Sequence, residues 1–373
     1  VDEARGLVFL PTSSPSPDYF GGGRPGNNED ANSVVALDAR TGETVWAYQI
    51  VHHDIWDYDV PAQPVLYQIW QDGQARDVVV QVTKMGLVFV LDRDTGQPVL
   101  PVEERPVPQE GVAGERLSPT QPFPLRPEPV VPNRLDPGDA FGVTLWDKVA
   151  CARKLRSLRQ EGLYTPPTLE GSLAYPFAGG GANWGSAAFD PARNLVVINM
   201  NNVAQSVSLH TDPDAWDAIS DEAEFGDMEG APYTMSREVL LSPLGLPCSP
   251  PPWGVIAGVD VGTGEIVWRR PFGTTRDIAP GGLALEFGTP SFGGPIVTKG
   301  GLIFVGAAMD NVLRALDVET GQELWQGQLP AGGQATPMTY VWQGRQYVVI
   351  AAGGHSLAGT TIGDFVVAFA IPD

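Results

Sequence analysis

At 373 residues the chain is long enough to bury a large core, and 44 glycines and 35 prolines beside 43% hydrophobic residues describe many short apolar strands joined by turns. That hydrophobic share excludes general disorder, and a formal net charge of −21 argues against a nucleic-acid partner, whose phosphates it would repel. No apolar run approaches the roughly 18 to 20 residues that span a bilayer.

From Val1 the chain runs straight into an apolar strand, Gly6-Leu7-Val8-Phe9-Leu10-Pro11, with no initiator Met or leader. This reads as a cut inside a longer protein, with any targeting segment upstream. A signature follows that recurs along the chain: Ala36-Leu37-Asp38-Ala39-Arg40-Thr41-Gly42-Glu43-Thr44-Val45-Trp46, an apolar strand, an Asp-x-x-Thr-Gly turn and a second strand carrying Trp. In such a turn Asp and Thr bond the local backbone and Gly supplies the positive φ that closes a hairpin.

Directly after that strand, which ends in Val45-Trp46-Ala47-Tyr48-Gln49, the eight residues His52-His53-Asp54-Ile55-Trp56-Asp57-Tyr58-Asp59 collect three carboxylates, two imidazoles and two rings. Such a cluster is costly to hold together unless it faces water, a metal or a polar ligand. Val82-Thr83-Lys84-Met85-Gly86 ends another apolar strand, and the signature returns as Asp92-Arg93-Asp94-Thr95-Gly96 with Leu100 in the Trp position.

Next come two insertions. Residues 101 to about 180 are Pro-rich with one helix-like stretch, 146–159, and residues 203 to about 250 are polar and irregular; both are predicted as long loops on one face of a blade scaffold. Between and after them, strands over 184–190, 195–199, 255–260 and 266–270 make one blade. Two further signatures follow, Asp260-Val261-Gly262-Thr263-Gly264 with Trp268 and Asp317-Val318-Glu319-Thr320-Gly321 with Trp325.

The first pair of copies is 54 residues apart and the last pair 57, as four-stranded propeller blades require. The predicted fold is therefore all-β, a β-propeller of antiparallel four-stranded blades. Four blades fill residues 1–329, the first lacking its outer or inner strand, and a three-strand unit over 335–342, 346–352 and 364–371 closes the chain. A last blade commonly borrows a strand from the other end, but an incomplete first blade points to sequence upstream of Val1 in the same ring.

Cys151 and Cys248 have no CxxC spacing, which disfavours a metal or thioredoxin-type site. In an oxidising compartment they can pair, for about 4 to 5 kcal/mol in the chain-entropy model; the alternative is two reduced buried thiols.

Several chemistries fall away. There is no phosphate-loop motif, and the glycine triplets at 21–23 and 179–181 lack the strand-then-helix setting of dinucleotide binding. Gly354-His355-Ser356-Leu357-Ala358 resembles a nucleophile elbow, but a strand is predicted after it where a helix is required, and no His lies downstream. Arg153, Lys154, Arg156 and Arg159 read as a solvated face. A metal-dependent hydrolase on His52, His53 and Asp57 is weak, because adjacent His residues on a strand point to opposite faces.

What survives is Asp57 with its neighbours, Lys84, and Asn183-Trp184 in Gly181-Ala182-Asn183-Trp184-Gly185, each beside a predicted strand. Propeller strand ends converge on the central channel, where a carboxylate, an ammonium, an amide and an indole suit a flat, anionic, carbonyl-rich cofactor. A non-catalytic propeller scaffold of the outer-membrane assembly type uses the same repeat and is the alternative, but it has no need of that polar set.

The run over residues 33–64, the Lys84 motif, Pro106-Val107-Pro108, Ser118-Pro119-Thr120-Gln121-Pro122-Phe123, Glu161-Gly162-Leu163-Tyr164-Thr165-Pro166-Pro167 and Leu329-Pro330-Ala331-Gly332-Gly333-Gln334-Ala335-Thr336-Pro337-Met338-Thr339-Tyr340 together resemble the pyrroloquinoline-quinone (PQQ)-dependent dehydrogenases. The group most resembled is the membrane-bound glucose and quinate/shikimate dehydrogenases. The resemblance covers essentially the whole chain and implies one domain over residues 1–373, about half of an eight-bladed quinoprotein propeller. It implies PQQ and a Ca²⁺ or Mg²⁺ ion on the axis, a sugar, polyol or cyclic hydroxy-acid substrate, and ubiquinone as electron acceptor. It also implies a periplasmic location, tethered to the inner membrane through an N-terminal segment absent here.

Residue by residue, the resemblance makes Asp57 the catalytic base beside the metal and Lys84 the hydrogen-bond donor to the quinone oxygens. Asn183 and Trp184 match a cofactor-contacting pair, and Asn199 a further Asn near the quinone. The remaining metal ligands and the Trp stacked on the quinone belong to the missing N-terminal half of the propeller. This chain by itself is therefore expected to bind the cofactor weakly or not at all.

Overall fold

Each Asp-x-x-Thr-Gly segment closes its hairpin as its residue types demand. Asp38 Oδ1 accepts from the amides of Arg40 (2.8 Å) and Thr41 (3.1 Å), and Gly42, at φ +75°, donates its amide to the Asp38 carbonyl. Asp92, Asp260 and Asp317 hold their turns the same way.

The computed structural model describes residues 1–212, 214–215 and 223–371. Its first sheet is antiparallel, β1 (Leu7–Pro11), β2 (Ser33–Asp38) and β3 (Thr44–Gln49). The second is β4 (Val65–Gln71), β5 (Gln74–Val82) and β6 (Val88–Asp92), its fourth strand reduced to one bridge between Leu91 and Pro98. After it come a ribbon, β7 (Val102–Pro106) with β8 (Thr120–Pro124), the helix α1 (Leu145–Ser157) and a short strand β9 (Ser172–Ala174).

The third sheet starts with β10 (Ala187–Asp190) and β11 (Leu195–Asn201). The chain then leaves it for β12 (Gln205–His210), β13 (Glu224–Gly226) and β14 (Thr234–Val239), which with β9 form a separate four-stranded sheet ordered β13-β14-β12-β9. It returns through β15 (Gly254–Asp260) and β16 (Glu265–Pro271). β17 (Ile296–Val297), β18 (Leu302–Val305), β19 (Val312–Asp317) and β20 (Glu323–Gln328) form the fourth sheet; β21 (Met338–Trp342), β22 (Arg345–Ala352) and β23 (Phe365–Ala370) form the fifth.

The sheets stack face to face, which is why their central strands read as near-continuous apolar runs. Val34 and Trp46 of the first sheet pack with Val79 and Phe89 of the second, and the opposite face of the second, Val80 and Val90, packs with Val196 and Ile198 of the third. Val197 and Ile256 then meet Ile303 and Leu316, and Leu313 meets Val348 and Ile350. Trp46 donates from Nε1 to the Arg93 carbonyl (3.1 Å) and Trp268 to the Val318 carbonyl (2.9 Å), so each indole docks on the next sheet's turn. There it covers Gly96 or Gly321, where a Cβ would fall 2.5 or 2.4 Å from the ring. Leu100 fills the same place over Gly264. Because Leu is accepted there, Trp268→Leu should cost only about 1 to 3 kcal/mol, the lost hydrogen bond plus some apolar area. A shifted urea midpoint with an unchanged slope would check it.

The region over 203–250 differs from the sequence expectation of an irregular loop. β12 alternates buried Gln205, Val207 and Leu209 with half-buried Ser206, Ser208 and His210, a period-two pattern hidden by its polar content. The helix over 145–157 is capped by Thr144, whose hydroxyl accepts from the Asp147 amide, and it buries Cys151 and Leu155 against Leu173 and Leu240. Cys151 and Cys248 are disulfide-bonded.

Strand direction decides where chemistry can gather. The Asp-x-x-Thr-Gly turns all lie at one end of the sheets. The starts of β4, β10, β17 and β21, the ends of β5, β11, β18 and β22, and both insertions therefore lie at the other.

Candidate active site

Asp57 precedes β4 and Lys84 follows β5, so both reach that second end. The loop carrying Asp57 is pinned by its aromatic neighbours, which turn inward. Trp56 donates from Nε1 to the Thr165 carbonyl (2.9 Å) and Tyr58 from its hydroxyl to the Pro176 carbonyl (3.0 Å), and both are buried against Tyr164. With its neighbours facing in, Asp57 sits at φ +58° and faces out. A non-glycine residue in that region needs support from its surroundings.

Asp54 provides it. Its fully buried carboxylate accepts the amides of Trp56 and Tyr58 (2.9 Å each), the Asn32 side-chain amide (2.8 Å) and the Ser14 hydroxyl. Burial pushes Asp54 up to about 6 despite these donors. A carboxyl raised in the folded state favours folding while protonated, so its contribution falls as pH rises from about 4 to about 6, by up to about 3 kcal/mol. Asp54→Asn should remove that slope. Urea midpoints taken across this window for both proteins would test it, and parallel curves would refute it.

The Asp57 carboxylate lies between two cations. Lys84 Nζ donates to Asp57 Oδ1 (3.1 Å) and to the Asp57 carbonyl (3.0 Å), and also pairs with Asp59. Arg237 Nη1 donates to Asp57 Oδ2 at 2.8 Å. Burial opposes the Lys84 ammonium, but Asp57 and Asp59 outweigh it, and the net shift is upward. Burial and the nearby Asp57 raise Asp59, against the pull of Lys84.

Arg237 was not anticipated. It comes from β14 in the inserted sheet, where Glu224 on β13 lies directly opposite and accepts from its Nε (2.8 Å) and Nη2 (2.9 Å), while the Tyr19 hydroxyl accepts from Nη1 (2.9 Å). Burial opposes its charge too, yet Tyr19, Glu224 and Asp57 raise it overall.

Asn183 and Trp184 sit beside the Lys84 turn, since Gly181 donates its amide to the Lys84 carbonyl (2.6 Å) and Ala182 to that of Thr83 (3.1 Å). Asn183 spends its side chain locally, donating to the Gly179 carbonyl (2.7 Å) and accepting from the Trp184 amide (2.8 Å), and the Trp184 ring is exposed. Asn199, near the end of β11, donates to the Ser291 hydroxyl (2.8 Å) and the Gly293 carbonyl (2.9 Å), and its Oδ1 is buried without a partner.

His52 and His53 lie in the loop rather than on a strand, and both rings are occupied. His52 meets Gln49 and Glu104; His53 meets the Gly26 carbonyl and Glu115. Neither has a nitrogen left for an ion shared with Asp57. Around Ser356 there is a single short 3₁₀ turn followed by β23, so the elbow geometry is absent.

The family model described as the glucose/ethanol/alcohol dehydrogenase β-propeller domain matches residues 1–348. The chain is 44% identical to quinoprotein glucose dehydrogenase A of Acinetobacter calcoaceticus and 41% identical to the quinoprotein glucose dehydrogenase of Escherichia coli, covering all of this chain and 48% of each relative. It is 39% identical to a probable quinate dehydrogenase of Xanthomonas campestris, again over its full length and 49% of that relative. The chain thus spans about half the length of the curated relatives it matches. Among solved structures, the quinohemoprotein alcohol dehydrogenase of Comamonas testosteroni superposes with a TM-score of 0.63 at 23% identity, over 99% of this chain and 47% of the other.

Proposed function

The chain belongs to the PQQ-dependent dehydrogenase propeller family, and from that premise we propose that it forms the part of a longer quinoprotein oxidoreductase that carries the catalytic base. The observation behind this reading is the grip on Asp57, a carboxylate held at both oxygens by cations at the end of the sheets where β4 and β10 begin. Asp57 takes the proton of a substrate hydroxyl, and Arg237 and Lys84 keep its oxygens in place.

The quinone fits these residues. Lys84 is a buried cation with its charge favoured, Asn199 Oδ1 is a buried acceptor without a partner, and Trp184 offers a free aromatic face. When bound, PQQ supplies the carbonyl carbon that accepts a hydride from the substrate. Lys84 would hold it, with Asn199 Oδ1 and the remaining side-chain N–H of Asn183 as further contacts. A divalent ion is provided for less completely. Asp57 and Asp59 are two carboxylates, the described residues hold no group of three or more His, Cys, Asp or Glu placed for an ion, and Ca²⁺ takes six or more oxygens. The other donors belong to the other half of the ring, and no step is assigned to the metal.

The substrate is a sugar, polyol or cyclic hydroxy acid, the range that the relatives' names span. Electrons pass to ubiquinone. The Cys151–Cys248 disulfide favours an oxidising compartment, the periplasm, and among the described residues no helix is long and apolar enough to cross a membrane.

The test is reconstitution of the full-length parent with PQQ and Ca²⁺, followed by dye reduction with glucose, quinate and glycerol. Turnover of one of them supports the reading. A folded protein silent with all three in excess cofactor refutes it in favour of a scaffold.

A further inference from the structure

The inserted sheet adds a group to the site that the blades do not supply. Arg237 has five N–H groups, and the contacts to Asp57, Tyr19 and Glu224 use four, leaving one on Nη2 without a partner among the described residues. That nitrogen shares a planar guanidinium with the one bonded to Asp57 Oδ2, so a free donor lies one fork position from the carboxylate. Arg237 is partly open to solvent, its side chain 24% exposed, and Glu224 behind it is 64% exposed. The side chain is therefore not sealed from an acceptor, whereas a substrate carboxylate placed at this N–H would meet Glu224 and also Asp18, which interacts with the charges of Asp57 and Arg237, as like charges.

We propose that Arg237 is a specificity-determining residue that reads a vicinal diol, one hydroxyl on Asp57 and the oxygen of its neighbour on the free guanidinium N–H. This rests on the reading of Asp57 as the base and deepens it. Two hydroxyls on adjacent carbons place an O–H donor and an acceptor oxygen side by side, the complement of a carboxylate oxygen beside an N–H. A substrate lacking the second hydroxyl leaves that charged donor unpaired in the complex, a loss of tenfold to hundredfold in affinity.

The test uses the full-length protein loaded with PQQ and Ca²⁺ and two substrate pairs, D-glucose with 2-deoxy-D-glucose and glycerol with 1,3-propanediol. In wild type the vicinal member of an accepted pair has the higher kcat/KM. In Arg237→Leu that ratio falls at least tenfold, chiefly through KM, whatever common loss both members share, and Arg237→Lys restores part of it. Calorimetric binding of D-glucono-1,5-lactone, which needs no turnover, weakens to a similar extent in Arg237→Leu. A ratio unchanged within twofold, with lactone affinity unchanged, overturns the role of Arg237 and leaves the function standing. Wild-type protein that oxidises neither pair removes the function itself, and this proposal with it.

Discussion

Asp57→Asn should lower kcat of the cofactor-loaded full-length protein by about 10²- to 10⁴-fold, the range lost when a positioned general base is removed. Asn keeps the size of the side chain, and Asp54 fixes the backbone of this loop through the amides on either side of position 57, so the fold should survive. The change instead strikes the two contacts at the carboxylate. An amide presents one oxygen and one NH₂, so either Lys84 or Arg237 is left facing a donor. Asp59→Asn is the control. Asp59 pairs with Lys84 and lies against Asp57, but among the described residues it does not reach Arg237, so its loss should cost less than that of Asp57 by at least tenfold. Dye-coupled kcat for both variants, with circular dichroism to confirm folding, decides the matter. Asp57→Asn within threefold of wild type would end the assignment of the base.

The pairing of Asp57 with Lys84 was legible in the sequence for a topological reason. One residue precedes the first strand of a sheet and the other follows its second, and in an antiparallel sheet those two points share an end. The repeat was legible because its turn needs Asp, Thr and Gly at fixed places. Arg237 was not legible. It lies 180 residues from Asp57, inside a stretch whose alternation is carried by Gln, Ser and His rather than by a clean apolar pattern. Its one signal was a lone Arg between Ser236 and Glu238 in a segment of strand-forming residues. The aromatic rings of Trp56 and Tyr58 misled in the opposite sense. Counted among the polar cluster, they are anchors, buried by partners from residues 164–176 that no local reading could supply. The adjacent imidazoles were consumed likewise, by Glu104 and Glu115 from the first insertion.

Replacing both cysteines with alanine should cost about 4 kcal/mol of stability. The Cys151–Cys248 bond spans 97 residues, and in the chain-entropy model closing a loop of that length removes between 4 and 5 kcal/mol of freedom from the unfolded state, roughly. Alanine is the right substitute because both sites are fully buried among Leu135, Ala140, Leu155 and Leu240, where a serine hydroxyl would lack a partner. The location of the loss is as telling as its size. The bond ties α1 to the segment entering β15, and the chain between them includes, besides β10 and β11, all of β9, β12, β13 and β14, the sheet that brings Arg237 to Asp57. Hydrogen exchange should therefore accelerate in β12 and β14 and stay unchanged in β18 and β19, which lie outside the closed loop. The urea midpoint should fall at the same time. Equal midpoints and uniform exchange would mean that the insertion is held by its own packing and that the disulfide adds nothing to the placement of Arg237. The expected pattern would instead make the bond a condition of the Asp57–Arg237 geometry, because the only cation reaching Asp57 Oδ2 among the described residues is carried inside the loop it closes.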